Sequence, residues 1–544
     1  MVGSERGLQD SPRCVLCPAG CELTLAPAGP DKWRAEYPLQ AGQGLCPRGS
    51  ALGELLAHGR RVLSAARRQA GRLETVDLAE AYKSIASAPG DGLVLLLDGN
   101  LPCEQMVAAT ACCRDWPNVK LCFLLEPAEE QLLLGTEASG AEYLSGAALA
   151  ECDGFVLVGD VFAANPTCAK AIFDHRREDP RTPIVVIDAA AGTAAKFATH
   201  RVDVRPGGEV TALAELASAA GVQDVPGGGG GSAPSAAAAA AAVAGCKRLA
   251  VVLAAEHGRG GGWRLLGYVA GLLAKARGGG LAVQTSGANA LAAVRLSARL
   301  GTASLAEALS ASTWSVVAIG TDVVGMLGRD DLEIFAAAAP LPNATTERAG
   351  LVLPVALPGE YGGTYLLDGG REVKVGALMA PPAGVPTPAE LVAGLAASAG
   401  RQVPAEQLDP AMLGRLELKA PTAAASAEQA PAEGLALALG RQAMHAGCGA
   451  LTASASWQAA VQPVPELRIS PQDAAAAGIV NLAQVTVRAG ERTVSAVARV
   501  APELPAGVVV LPEGCGQARQ LLPARIDVEA DMVVAEPVTV EVSA

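Results

Sequence analysis

Aromatic residues are nearly missing from this chain. Phe, Trp and Tyr make up 3% of 544 residues, although half of all residues are apolar. Its core must therefore be built from Ala, Val and Leu, each burying little area, so many small contacts replace a few large ones. No Lys/Arg-rich run occurs and the net charge is −13. That balance argues against nucleic acid as a partner and favours solubility. No apolar stretch reaches the roughly 18 residues of a membrane span, and the Ala run at 236–243 is too short and too weakly hydrophobic. The opening Met-Val-Gly-Ser-Glu-Arg has neither an apolar signal region nor twin arginines, so a cytoplasmic location is expected.

Cysteine is plentiful by contrast, with 13 residues. Nine are scattered: Cys103, Cys112, Cys113, Cys122, Cys152, Cys168, Cys246, Cys448 and Cys515. In a reducing compartment such residues are small buried hydrophobes, and no disulfide framework is expected. The other four are grouped. Cys14, Cys17 and Cys21 fall within eight residues, and Cys46 follows after 24 more. Three thiolates in one loop can wrap one side of a metal centre, and a fourth can close it. That donor set suits a 4Fe–4S cluster, which takes four Cys ligands. Pro18 and Gly20 help the loop bend. Zinc is the alternative, but structural zinc sites pair two short hairpins. Here the ligands divide three and one, with no His between Cys21 and Cys46.

The pattern along the chain predicts an α/β protein in several pieces. Residues 1–60 form a cysteine-rich cluster domain. Residues 61–225 alternate buried strands (Leu93–Leu97, Phe155–Val158, Pro183–Ile187) with helices near 103–114, 166–177 and 209–220, the signature of βαβ units and a parallel sheet. Residues 226–245, rich in Gly and Ala, read as a linker or loop whose alanine part can begin a helix. The alternation resumes over 246–418, with strands at Leu249–Leu253, Val316–Ile319 and Leu351–Val355 and a helix at 263–276. These two blocks are Rossmann-like, either separate or interleaved. A second linker is expected at 419–434. Over 435–544 the period shortens to strands at Leu467–Ile469, Gln484–Arg488, Val494–Val500 and Val508–Leu511, a small barrel-like β domain.

A three-plus-one cysteine head, two α/β blocks and a β-rich tail, in that order, resemble the molybdopterin oxidoreductase superfamily. That group includes formate dehydrogenases and the large iron–sulfur subunit of NADH dehydrogenases. Gly44-Leu45-Cys46-Pro47-Arg48-Gly49 resembles its fourth-ligand motif, and Arg60–Leu63 with Val76–Ala81 the segment after it. Val158-Gly159-Asp160 with Asn165-Pro166 is similar to the family's Gly-x-Asn-Pro element, stretched by several residues. Ile187-Asp188 and Val204-Arg205-Pro206-Gly207 resemble its Val-Asp-Pro and Arg-Pro-Gly pair. Gly350–Pro354, Glu360–Thr364 and Gly370-Arg371 follow in family order, and Ile469–Ala474 with Gly478-Ile479 resembles the start of the dinucleotide-binding tail.

The resemblance implies one 4Fe–4S cluster on Cys14, Cys17, Cys21 and Cys46. It also implies a cation at Arg48 between cluster and pterin, the alternative being a surface Arg that closes the loop. Cofactor-contacting positions would be Gly159, Asn165, Asp188, Gly207, Gly363 and Thr364, with Gly362-Gly363-Thr364 expected as a tight turn. A molybdenum or tungsten pterin guanine dinucleotide is the family's second cofactor, and this chain departs from the pattern for it. No candidate Cys is followed by His, and Cys122, after a short strand, is the least poor metal ligand. Asp160 is a poor neighbour for a phosphate, and no G-x-G-x-x-G opens a helix. The expected function is therefore electron transfer within a multi-subunit oxidoreductase, with iron–sulfur or flavin proteins as partners. The alternatives are a catalytic formate dehydrogenase-like subunit, or an assembly platform that carries no cluster.

Overall fold

A computed structural model of the chain describes residues 11–30, 32–38, 46–228, 234–421, 433–514 and 517–544. Gly44, Leu45, Cys515, residues 229–233 of the first expected linker and residues 422–432 of the second lie outside the described residues. The chain is mixed α/β, and its C-terminal region closes into a six-stranded barrel. Two units are distinguished. One comprises the described residues through Leu125 with Gly287–Val323 and Leu332–Gly414; the other comprises Glu126–Ser286, Val324–Asp331 and the described residues from Arg415 onward. Among the described residues, no helix is long and apolar enough to cross a membrane.

The first unit is built on a seven-stranded sheet. Its order is Arg72–Thr75, Ala66–Gln69, Leu351–Leu353, Ala336–Ala338, Ser315–Ile319, Leu93–Asp98, Val119–Leu124. The last five strands are parallel, and the first two form an antiparallel hairpin on the edge. Leu93–Leu97 is fully buried along its length, as a parallel strand covered on both faces must be. The strand Leu93–Asp98 thus pairs on one side with Val119–Leu124 and on the other with Ser315–Ile319, so the two sequence blocks interleave. The cysteine head stands on a smaller sheet of Ser11–Pro12, Arg371–Gly376 and Gly363–Leu367. Val15, between the first two cysteines, shares a core with Tyr365, Leu367 and Val375 of that sheet. The expected tight turn at Gly362-Gly363-Thr364 is not formed, because Gly363 opens a strand with φ +147°. A Cβ there would run into Pro102 and Glu104, so glycine is needed for close approach.

The second unit holds a five-stranded parallel sheet in the order His200–Asp203, Ile184–Asp188, Gly154–Val158, Leu249–Ala254, Gly280–Gln284. The order reverses between Gly154–Val158 and Leu249–Ala254, which makes this a doubly wound sheet. Two long helices, Pro127–Ser139 and Trp263–Ala276, pack along each other through glycines. A Cβ on Gly135 would collide with the Arg264 carbonyl, one on Gly267 with the Leu132 carbonyl and one on Gly271 with Ser139. The contacts climb both helices together, so the helices run parallel and their N-termini share one end. The alanine-rich stretch does form a helix, Pro234–Ala244. The barrel runs Leu435–Gly440, Val508–Pro512, Glu466–Ile469, Arg492–Val500, Gln484–Ala489, Thr539–Ser543. Alternate residues such as Leu437, Leu439, Val485, Val487, Val509 and Leu511 fill its interior, the period-two pattern of a half-covered strand.

Candidate cofactor sites

The cysteine loop folds back on itself. The Cys14 N–H donates to the Cys21 carbonyl at 2.9 Å, and the Gly20 N–H to the Cys17 carbonyl at 3.3 Å. Gly20 takes φ +54° with its α-carbon against Leu367, so only glycine lets the loop lie this close to the sheet. Cys46 is the N-cap of the Pro47–Leu56 helix and has extended backbone. Its neighbour Gly49 presses on the Tyr37 hydroxyl and lies near Cys14 Sγ. Tyr37 in turn donates to the Cys46 carbonyl at 3.2 Å.

Cys14, Cys17 and Cys46 are buried and Cys21 is partly so; none of them forms a disulfide. Burial, then repulsion from Cys17, holds the Cys14 thiol well above its ordinary pKa. Burial pushes Cys21 up to about 12, with Cys17 and Cys46 adding to it. Burial raises Cys17 as well, but Arg48 opposes the shift. Arg48 is 1% exposed, so it is not a surface residue closing the loop. Its charge faces the thiols from inside. Among the described residues, no three His, Cys, Asp or Glu side chains are gathered tightly enough to hold a single metal ion. The head thus gathers four thiols, three of them buried, beside one buried cation.

The other residues singled out from sequence take structural positions. Gly159, at φ +75°, follows strand Gly154–Val158; a Cβ there would lie 2.5 Å from the Ala254 carbonyl of the neighbouring strand. Asn165 caps the Pro166–Glu178 helix, accepting the N–H groups of Thr167 (3.0 Å) and Cys168 (3.2 Å) and donating to Gln284 at 2.7 Å. Asp188 accepts the Ala190 N–H at 2.9 Å and the Gly192 N–H at 2.6 Å. Gly207, at φ +88°, precedes the Glu209–Ala219 helix. Thr364 gives its N–H and hydroxyl to Glu104 at 2.8 and 2.5 Å. Cys122 lies within strand Val119–Leu124 rather than after it, and is 2% exposed.

The crevice at the reversal point of the five-stranded sheet is where a doubly wound fold takes its ligand. Here it is lined by acceptors. Glu256 accepts the Asp160 N–H at 3.0 Å. Asp160 itself accepts N–H groups of Ala163, Thr193 and Ala194. Arg259, fully buried, pairs with Glu256 and lies 3.3 Å from Glu209, the first residue of its helix. Three carboxylates, Glu256, Glu209 and Asp188, around one guanidinium fit the amino and hydroxyl donors of a nucleotide and repel its phosphates.

A second buried network, unforeseen from sequence, lies on the loops of the barrel. Arg519 grips both oxygens of Glu126 at 2.8 and 2.9 Å and also Glu513 at 2.7 Å. Arg441, just after strand Leu435–Gly440, pairs with Glu129 at 2.7 Å, and Glu129 accepts the Ser286 N–H and hydroxyl. His257 donates Nε2–H to the Leu522 carbonyl at 2.8 Å; burial, with Arg519 adding to it, lowers its pKa to about 3, so it is neutral. The sequence signal for this network is the placing of charged residues within two positions of a buried strand's end, as at Glu126 and Arg441.

Asp98 ends a strand at the reversal point of the seven-stranded sheet and accepts from Asn100 N–H (3.0 Å) and Nδ2 (3.2 Å). Burial raises its pKa to about 6, above the unfolded value of about 3.9. Stability from this group is full below about pH 4 and is lost as pH rises through 6. Asp98→Asn should remove that loss, about 3 kcal/mol at most. Urea midpoints of both proteins at about pH 4.5 and pH 8 check it; equal pH slopes would refute the assignment.

Residues 435–541 match the family described as the Molydopterin dinucleotide binding domain. No curated protein sequence matches the chain. Among solved structures it is similar to the acetylene hydratase from Pelobacter acetylenicus, with TM-score 0.65 and 10% identity, over 98% of this chain and 100% of that one. At that identity the likeness is one of fold.

Proposed function

We propose that this chain, a member of the molybdopterin oxidoreductase superfamily by its dinucleotide-binding domain and its fold, is an iron–sulfur electron-transfer subunit of a larger oxidoreductase. The observation that carries the reading is the cysteine head: four mutually coupled thiols, three of them buried, beside the buried Arg48. Cys14, Cys17, Cys21 and Cys46 would hold a 4Fe–4S cluster, which supplies one-electron transfer when bound. Val15 and Leu16, 5% and 6% exposed, keep water from the thiols. Arg48 offsets their negative charge from within the protein, which favours the reduced state and tunes the potential. Iron–sulfur or flavin proteins would be the electron-exchange partners.

A second reading is favoured by the match at residues 435–541: a catalytic molybdenum or tungsten pterin subunit. The domain supports a molybdopterin cofactor. The acceptor-lined crevice suits the base and ribose of its nucleotide better than the phosphates, and buried Cys122 is a poor metal ligand. Elemental and pterin analysis of the full chain purified without oxygen separates the readings. About four irons and four sulfides per chain, without molybdenum or tungsten, support the relay. Stoichiometric molybdenum or tungsten with pterin would establish the second reading, and one zinc without iron would exclude the cluster.

A further inference from the structure

A small cavity opens where the parallel helices Pro127–Ser139 and Trp263–Ala276 begin. Its wall includes Glu126, Gln131, Glu256, Gly260, Gly261 and Trp263. Neither helix has a side-chain cap at its N-terminus. Glu126 is the N-cap of the first, but its carboxylate turns away to Arg519. Gly262 is the N-cap of the second and has no side chain to offer. Two parallel helices place two partial positive charges at one end, an arrangement that a negative group between them would stabilise.

Two further groups point to a ligand. Trp263 is 4% exposed and its indole N–H, a donor, has no partner. Gln131 is 9% exposed and its Oε1, an acceptor, has none either. Buried polar groups are rarely left so, because each costs the loss of its hydration. The two carboxylates in the wall do not supply the missing partners. Glu126 is held bidentately by Arg519, and Glu256 is paired with Arg259.

We propose that this cavity binds a small oxyanion that keeps an O–H, of the hydrogencarbonate or dihydrogen phosphate class. Its oxygens accept from the Trp263 indole and the open first-turn N–H groups, and its O–H donates to Gln131 Oε1. The requirement for an O–H separates this class from formate, which at neutral pH has only acceptors. The proposal holds whether or not the chain carries a cluster.

The test is calorimetric titration of the full chain with sodium hydrogencarbonate, sodium phosphate and sodium formate in turn at pH 7. At least one of the first two should bind saturably, and formate about tenfold more weakly or not at all. Trp263→Phe keeps the ring and loses the donor; Gln131→Leu loses the acceptor. Each should weaken binding about tenfold. Thermal melts identify any variant that fails to fold, and the comparison of the three anions on the unaltered chain stands without the variants. No saturable binding by hydrogencarbonate or phosphate would overturn the proposal, as would equal binding of formate. Unchanged affinity in both folded variants would place the anion elsewhere.

Discussion

Cys17→Ser abolishes the low-temperature paramagnetic signal of the dithionite-reduced protein and lowers bound iron from about four per chain to near background. The effect is large because Cys17 sits at the centre of the coupled set. Its carbonyl anchors the Gly20 turn, and its sulfur is the one that Arg48 stabilises. A serine hydroxyl preserves the loop but is a far weaker anion than a thiolate and a harder ligand, unsuited to a sulfur-bridged iron cluster. Far-ultraviolet circular dichroism should barely change, since Val15 and Leu367 still hold the loop on its sheet. Arg48→Met should retain the iron and lower the reduction potential, because a positive charge buried beside the cluster favours the reduced state. Retention of the full signal in Cys17→Ser would mean that the four ligands are wrongly assigned.

Arg519→Met should destabilise the second unit by about 3–5 kcal/mol. Its guanidinium, on a side chain 4% exposed, makes three hydrogen bonds of 2.7–2.9 Å to Glu126 and Glu513; its removal leaves Glu126 buried and unpaired, and Glu513 with only Arg441 at 3.9 Å. Removing one partner of a buried ion pair costs more than the pair contributes, because the remaining charge has no water. The double variant Arg519→Met with Glu126→Gln should therefore recover part of the loss. Denaturant unfolding followed by tryptophan fluorescence, with limited proteolysis of the barrel as a second probe, checks both results. A loss below about 1 kcal/mol would place Arg519 with exposed ion pairs rather than buried ones.

The elements of the fold were easier to read than their arrangement. Runs such as Leu93–Leu97 and Leu249–Leu253 are strands because continuous apolar residues suit a parallel strand covered on both faces. The helices expected near 166–177 and 209–220 are Pro166–Glu178 and Glu209–Ala219, and Asn165 and Gly207 mark their starts. The barrel strands follow the period-two pattern. Interleaving of the two blocks could not be read, because pairing of Leu93 with Ser315 depends on contacts across more than two hundred residues. The same distance hides the charge networks. Arg519 and Glu126, 393 positions apart, each look like a surface residue until the fold brings them together. Trp263 and Gln131 carry no local signal either: an unpartnered indole N–H is a property of packing, not of composition. At the cysteine head the reverse holds, since the cysteines are close in sequence and their type limits the chemistry. Arg48 shows the limit of that rule, because its burial, and so its role, is visible only in three dimensions.

The glycine contact between Pro127–Ser139 and Trp263–Ala276 also sets the order in which the second unit comes apart. Glycines at 135, 267 and 271 bring two backbones within reach of each other, so neither helix can fray sideways without the other. Amides along this seam should be among the last to exchange with deuterium, opening only with the whole unit. Those of the short Pro471–Ala476 helix, which has no such seam, should exchange first.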